Sequence, residues 1–156
     1  MLFRSPGYAS LAVVYSSMPT WGEATGLPRA EAYVRTRATA TKALEMDATL
    51  PEAHLALAEV KEEWDWDWEG AEREYRRAIE LNPSSANAHQ WYGSFLSRQG
   101  RHEEAIAESK LAARLDPFSY ICGIFVGQAL FYARRDRKST RLNSSHIQKS
   151  RMPSSA

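Results

Sequence analysis

Two histidines, His54 and His89, stand 35 positions apart in helix-forming sequence, and a pair of imidazoles is what a metal site or a proton-transfer step would use. Neither has a cysteine or carboxylate partner at ligand spacing, so packing accounts for both. Glu62, Glu63, Asp65, Asp67 and Glu69 crowd one short stretch and alternate with Trp64, Trp66 and Trp68. Carboxylates at this density hold a hard cation when a glycine-bearing loop orders them. The run E-E-W-D-W-D-W-E lacks that order and reads as a solvated turn. Its indoles are expected to pin the turn between two helices, although exposed tryptophan is also what binding hot spots use. Arg73, Arg76 and Arg77 would touch phosphate only with their charge free, and the interleaved Glu72, Glu74 and Glu80 make a salt-bridged helix face instead. His102, at a helix start, reads as a surface residue. No phosphate loop, nucleophile elbow or kinase signature occurs. The expectation is a protein that is not an enzyme, with no catalytic residue, no cofactor and no metal.

Helices must position these side chains. Pro51 suits a first helical turn, and Ala53, Leu55, Ala56, Leu57, Ala58 and Val60 follow as an apolar face. A second helix spans about 69–81, with Ala71, Tyr75, Ala78 and Ile79 as its stripe. Asn82-Pro83 stops it, Ser84 and Ser85 offer caps for a helix over 86–99, and Gly100 can take the left-handed conformation that ends that helix. A helix over 102–115 stops at Asp116-Pro117, and 118–135 opens another. Upstream, Tyr8, Leu11, Ala12 and Tyr15 fit a helix face, a loop covers 17–27, and a long helix covers 28–46. Pro83 and Pro117 lie 34 residues apart and close the matching phrases A-I-E-L-N-P and A-A-R-L-D-P. A period of that length denotes stacked helix pairs, an architecture that presents surface.

The last 21 residues read differently. Asp136 to His146 and Ser150 to Ala156 back-translate codon for codon into DNA resembling the two constant arms of a short-read sequencing adapter, with room for an index between them. A non-native, disordered tail is expected over 136–156, and its Asn143-Ser144-Ser145 glycosylation pattern carries no meaning. The whole chain carries 20 basic and 19 acidic residues. Residues 1–135 hold 15 and 18 of these, a balance of −3, so no basic footprint for nucleic acid survives. The lone Cys122 argues against a disulfide framework, no apolar h-region follows Met1, and the apolar run over 120–133 is too short to span a bilayer. A cytoplasmic location is expected.

On these residues the chain resembles the tetratricopeptide repeat family. The family's pattern of aromatic, Leu-Gly, aromatic, Ala, aromatic, Ala and Pro falls on His54, Leu57, Ala58, Lys61, Ala71, Tyr75, Ala78 and Pro83. One unit later it falls on His89, Tyr92, Gly93, Leu96, Ala105, Ser109, Ala112 and Pro117. The histidines, Lys61, Ser109 and one extra residue in the tryptophan turn depart from it. The resemblance implies an all-α solenoid of antiparallel helix pairs, with units over about 8–46, 51–85 and 86–119 and a half unit over 120–135. Small residues at Ala58, Gly93, Ala71 and Ala105 would let paired helices approach. Gly123 and Gly127 would be close-packing glycines of the last unit. That unit lacks a second helix, so Phe125, Val126 and Leu130 are expected to be partly uncovered and the end to be prone to self-association.

The resemblance also implies function: a protein–protein interaction module holding a peptide in a concave groove lined by each unit's first helix. By register the groove residues are Glu52, Leu55, Glu59, Glu62, Asn87, Gln90, Ser94, Arg98, Ile124 and Gln128, flanked by Ile121 and Phe131. Leu55, Glu59 and Gln90 do not match the Lys, Asn and Arg with which some members clamp a chaperone's terminal carboxylate. A peptide of basic and apolar character suits the groove better. The alternative is that these repeats are the C-terminal sensor or scaffold of a bacterial signalling enzyme or winged-helix transcriptional regulator.

Overall fold

The computed structural model describes residues 5–17 and 27–150, with side chains described over 6–15 and 27–138. Residues 18–26, within the loop expected over 17–27, lie outside the described residues. Seven α-helices account for the described chain: α1 Ser5–Ser17, α2 Arg29–Met46, α3 Pro51–Val60, α4 Trp68–Leu81, α5 Ala86–Arg98, α6 His102–Leu115 and α7 Tyr120–Ser150. Among the described residues no strand occurs, and the architecture is the all-α solenoid read from the sequence.

The punctuation is local chemistry repeated along the chain. Each inter-unit turn starts with an Asx residue whose side-chain oxygen accepts a backbone N–H further on. Asp47 accepts from Thr49 at 2.9 Å, Asn82 from Ser84 at 3.3 Å and Asp116 from Ser119 at 3.2 Å. Asp67 caps α4 by accepting from the Gly70 N–H at 2.9 Å, and Ser85 caps α5 by accepting from Ala88 at 3.2 Å. Gly100 ends α5 at φ 75°. The extra residue of the tryptophan turn is absorbed as a π-turn over Lys61–Asp65 that continues α3 and ends at Trp66, in the left-handed region at φ 58°.

The core is built from small residues crossing at close range. α1 packs on α2 and α3 through Ala9 against Ala43 and Ala53, and through Ala12 against Ala40 and Ala56. Because alanine faces alanine there, the bulky Tyr8 and Leu11 are left at the flanks, more than a third exposed. The main cluster joins α3, α4, α5 and α6, with Tyr75, Tyr92 and Phe95 in mutual ring contact at 5.4–6.2 Å. Gly93 stands where α5 crosses α6. A Cβ there would meet Ser109 Oγ at 2.9 Å and the Ala105 carbonyl at 3.3 Å. Gly123 and Gly127 differ from the close-packing role expected of them. A Cβ at either would meet nothing within 4 Å, since no second helix folds back on α7 among the described residues.

Over 136–150, α7 continues to Ser150. No proline or glycine stands between Asp136 and Ser150 to stop it. Helical conformation says nothing of the origin of these residues, and 151–156 lie outside the described residues.

Candidate functional site

The two histidines turn out to be staples. His54 Nδ1 lies 2.7 Å from Glu74 Oε2 and its Nε2 lies 3.2 Å from the Ala48 carbonyl. His89 repeats the pattern, 2.6 Å from Glu108 Oε2 and 3.0 Å from the Pro83 carbonyl. Each imidazole thus ties the first helix of a unit to its second helix and to the turn before it. Lys61 Nζ joins the first staple, donating to Glu74 at 2.6 Å. The hydrogen bond from His54, opposed by burial and reinforced by Lys61, holds the Glu74 carboxyl at a pKa of about 2. Glu74 and Glu108 lie 34 residues apart in matching register with the histidines. That register was a signal in the sequence, and reading the histidines as packing residues passed over it.

Between units the links are ionic. Glu62 is 1% exposed and accepts from Tyr75 Oη at 2.9 Å and Arg98 Nε at 2.6 Å. Burial pushes its pKa up, against the pull of Arg98 and Tyr75, and burial raises Tyr75 well above the usual phenol range. A second node lies at Glu72 Oε1, which accepts from Tyr92 at 2.9 Å, Arg76 at 2.7 Å and Arg101 at 2.8 Å. Burial opposes ionisation there, but these hydrogen bonds prevail and hold Glu72 at about 2. Of the three arginines considered for phosphate, Arg76 pairs with Glu72 and Arg77 with Glu80 at 3.1 Å.

The residues assigned to the groove fare unequally. Leu55 is 2% exposed and belongs to the main core, so it cannot touch a partner. The reason is that α3 packs against α1, α2 and α4 and turns most of its circumference inward. Glu62 is buried in the node just described. Gln90 is buried, its Oε1 accepting from Cys122 Sγ at 3.6 Å. Glu59 and Ser94 are partly covered, while Glu52, Asn87, Arg98, Ile124 and Gln128 are exposed, as are Ile121 and Phe131. Glu62, Ser94 and Arg98 are brought together, Arg98 Nη1 reaching Ser94 Oγ at 3.4 Å.

The tryptophan turn docks on α2 through Trp64, whose ring lies 5.4 Å from that of Tyr33. Arg29 pairs with Glu63 at 3.1 Å and Arg37 with Asp65 at 2.6 Å. An open cleft of about 470 Å³ lies between Arg29, Glu63, Trp64 and Trp66. Another, of about 450 Å³, lies between the start of α6 and α7. There His102 is partly covered rather than a plain surface residue, its Nε2 3.2 Å from Asp136 Oδ2. Among the described residues no group of three or more His, Cys, Asp or Glu side chains converges as a metal site, and no helix is long and apolar enough to cross a membrane.

A tetratricopeptide repeat family model matches residues 74–107. No curated protein sequence matches the chain. Among solved structures the chain is similar to a mutant of Thermobaculum terrenum O-GlcNAc transferase, at 22% identity and a TM-score of 0.64, over 83% of this chain and 23% of that one. It thus spans under a quarter of that protein's length. It is similar to Pseudomonas aeruginosa pilF at 26% identity and a TM-score of 0.62, over 88% of this chain and 64% of that one. The first tetratricopeptide repeat of Spaghetti, solved with an HSP90 peptide, is similar at 19% identity and a TM-score of 0.56, over 76% and 89% respectively. With its 34-residue period and its paired antiparallel helices, the chain has the fold of a tetratricopeptide repeat array, and residues 74–107 match that family's model.

Proposed function

We propose that this array is a protein–protein interaction scaffold that holds an extended or helical peptide of basic and apolar character along its first helices. The observation that carries the reading is the link between Glu62 of the π-turn and Arg98 of α5. It ties successive first helices side by side, with Glu52, Asn87, Arg98, Ile124 and Gln128 exposed along them. A solenoid face of this kind gives one chain many small contacts in register. Glu52 and Glu59 favour a cationic partner residue at one end, and Ile121, Ile124 and Phe131 favour an apolar one at the other. With Leu55 in the core, Asn87→Lys and Ile124→Asp are the informative substitutions. Titrated with a twelve-residue Lys/Leu peptide, each variant should bind about tenfold more weakly with its melting temperature unchanged. Wild-type affinity in both would exclude this groove.

A second reading rests on the O-GlcNAc transferase similarity, where a stretch like this one occupies 23% of a longer chain. The array would then be the scaffold of a signalling enzyme or winged-helix regulator. Long-read sequencing of the source DNA upstream of Met1 and across codon 135 tests it, and the same read decides whether residues 136–156 are adapter-derived. An intervening stop on both sides would sink the larger-protein reading. Self-association through α7 and the turn before it is supported by Phe118 in that turn, 96% exposed, and by the exposed Leu130 and Phe131 of α7. A monomer by light scattering at every concentration would count against it.

A further inference from the structure

Trp66 holds a left-handed backbone conformation, φ 58°, where a bulky L residue is strained. One period later, 34 residues on, the same place is taken by Gly100 at φ 75°, the residue for which that conformation is free of penalty. Trp66 gains no burial to offset the strain, being 70% exposed. Folding alone therefore gives no account of an indole here, and strained positions gather where proteins make functional contacts. The ring meets that of Trp68 edge to face, with centroids 5.6 Å apart and planes at 80°. Asp67 and Glu69 flank this corner, both exposed. Glu63 and Asp65 are neutralised by Arg29 and Arg37, but among the described residues no cation pairs with Asp67 or Glu69. Electron-rich ring faces beside two carboxylates, of which Asp67 also caps α4, attract an organic cation. The chain already stacks guanidinium groups on its own rings, Arg29 over Tyr33 at 5.5 Å and Arg76 over Tyr92 at 5.9 Å. The cleft between Trp64 and Trp66 leaves room for the neighbouring residue of a bound strand.

We infer that the Trp66–Trp68 corner is a second contact site, apart from the groove, that takes an arginine or lysine side chain from a basic segment of a partner protein. The cation lies against the indoles and is held by Asp67 and Glu69. The full chain is titrated with a nine-residue peptide of alternating Arg and Gly, and separately with its Glu counterpart, while the indole N–H resonances are followed. The Trp66 and Trp68 signals should move with the Arg peptide alone, and Trp91, packed against the core, should stay still. Binding should weaken as salt rises and fall about tenfold or more in Trp66→Gly and in Trp68→Ala. Trp66→Gly, relieved of strain, should melt higher than wild type, so its lost binding cannot be unfolding. The indole shifts produced by the Arg peptide should be unchanged in Asn87→Lys, which separates this site from the groove. Unmoved indole signals, undiminished binding by Trp66→Gly, or equal binding of the Glu peptide would each overturn the assignment.

Discussion

Replacing Arg98 by methionine keeps the aliphatic stem and removes the charge facing Glu62. Breaking a buried ion pair from one side costs roughly 3–5 kcal/mol, because the remaining charge is left without its partner. Here the loss should be smaller. Arg98 is 45% exposed and therefore screened, and the Tyr75 hydroxyl still donates to the carboxylate at 2.9 Å. About 2 kcal/mol at pH 7 is expected. The carboxylate also has an escape, since burial already raises its pKa and losing Arg98 raises it further. An acid whose folded pKa is raised favours the folded state when protonated, and that contribution is lost as pH rises through the folded pKa. The deficit of Arg98→Met should therefore be greatest at pH 7 and shrink on acidification. Each pH unit over which Glu62 is protonated in the folded variant but not in wild type returns at most about 1.36 kcal/mol. Urea unfolding followed by far-UV circular dichroism at pH 7 and pH 5 measures both values. Adding Glu62→Gln to Arg98→Met should restore most of the stability at pH 7. A deficit under about 0.5 kcal/mol, one equal at both pH values, or a double variant no better than the single would refute the reasoning.

Gly93→Ala should cost about 1–3 kcal/mol, because its Cβ would strike Ser109 and the Ala105 carbonyl. Gly127→Ala, with open space around it, should gain up to about 1 kcal/mol from helix propensity; thermal melts distinguish the two. Glu74, held at about 2, is an acid with a lowered folded pKa. Its contribution is complete above its unfolded value near 4.5 and is lost as pH falls towards 2. Allowing for solvent screening this amounts to about 1–2 kcal/mol, and Glu74→Gln should flatten that part of the acid limb, with the part due to Glu72 remaining. Trp66→Gly should stabilise the chain by about 1 kcal/mol, read as a higher melting temperature.

Order along the chain was legible because it is set by neighbours in sequence. Asn82-Pro83, Asp116-Pro117, Ser85 and Gly100 act on backbone groups within a few residues of themselves, so the ends of α4, α5 and α6 follow from residue type alone. The alanines at 34-residue spacing likewise determined that the helices pair closely and stack. Tertiary structure alone decided which flank of each helix a partner can reach. A 3.6-residue period identifies an apolar stripe but not how many helices crowd around it. α3 has neighbours on three sides, and this drew Leu55 and Glu62 inside where the repeat register had set them in a groove. The same crossings aligned His54 with Glu74 and His89 with Glu108, contacts that span 19–20 residues. They exist only once two helices lie antiparallel at a fixed phase. Whether Gly127 packs or stands open was decided in the same way, because its counterpart Gly93 meets a second helix and Gly127 meets none.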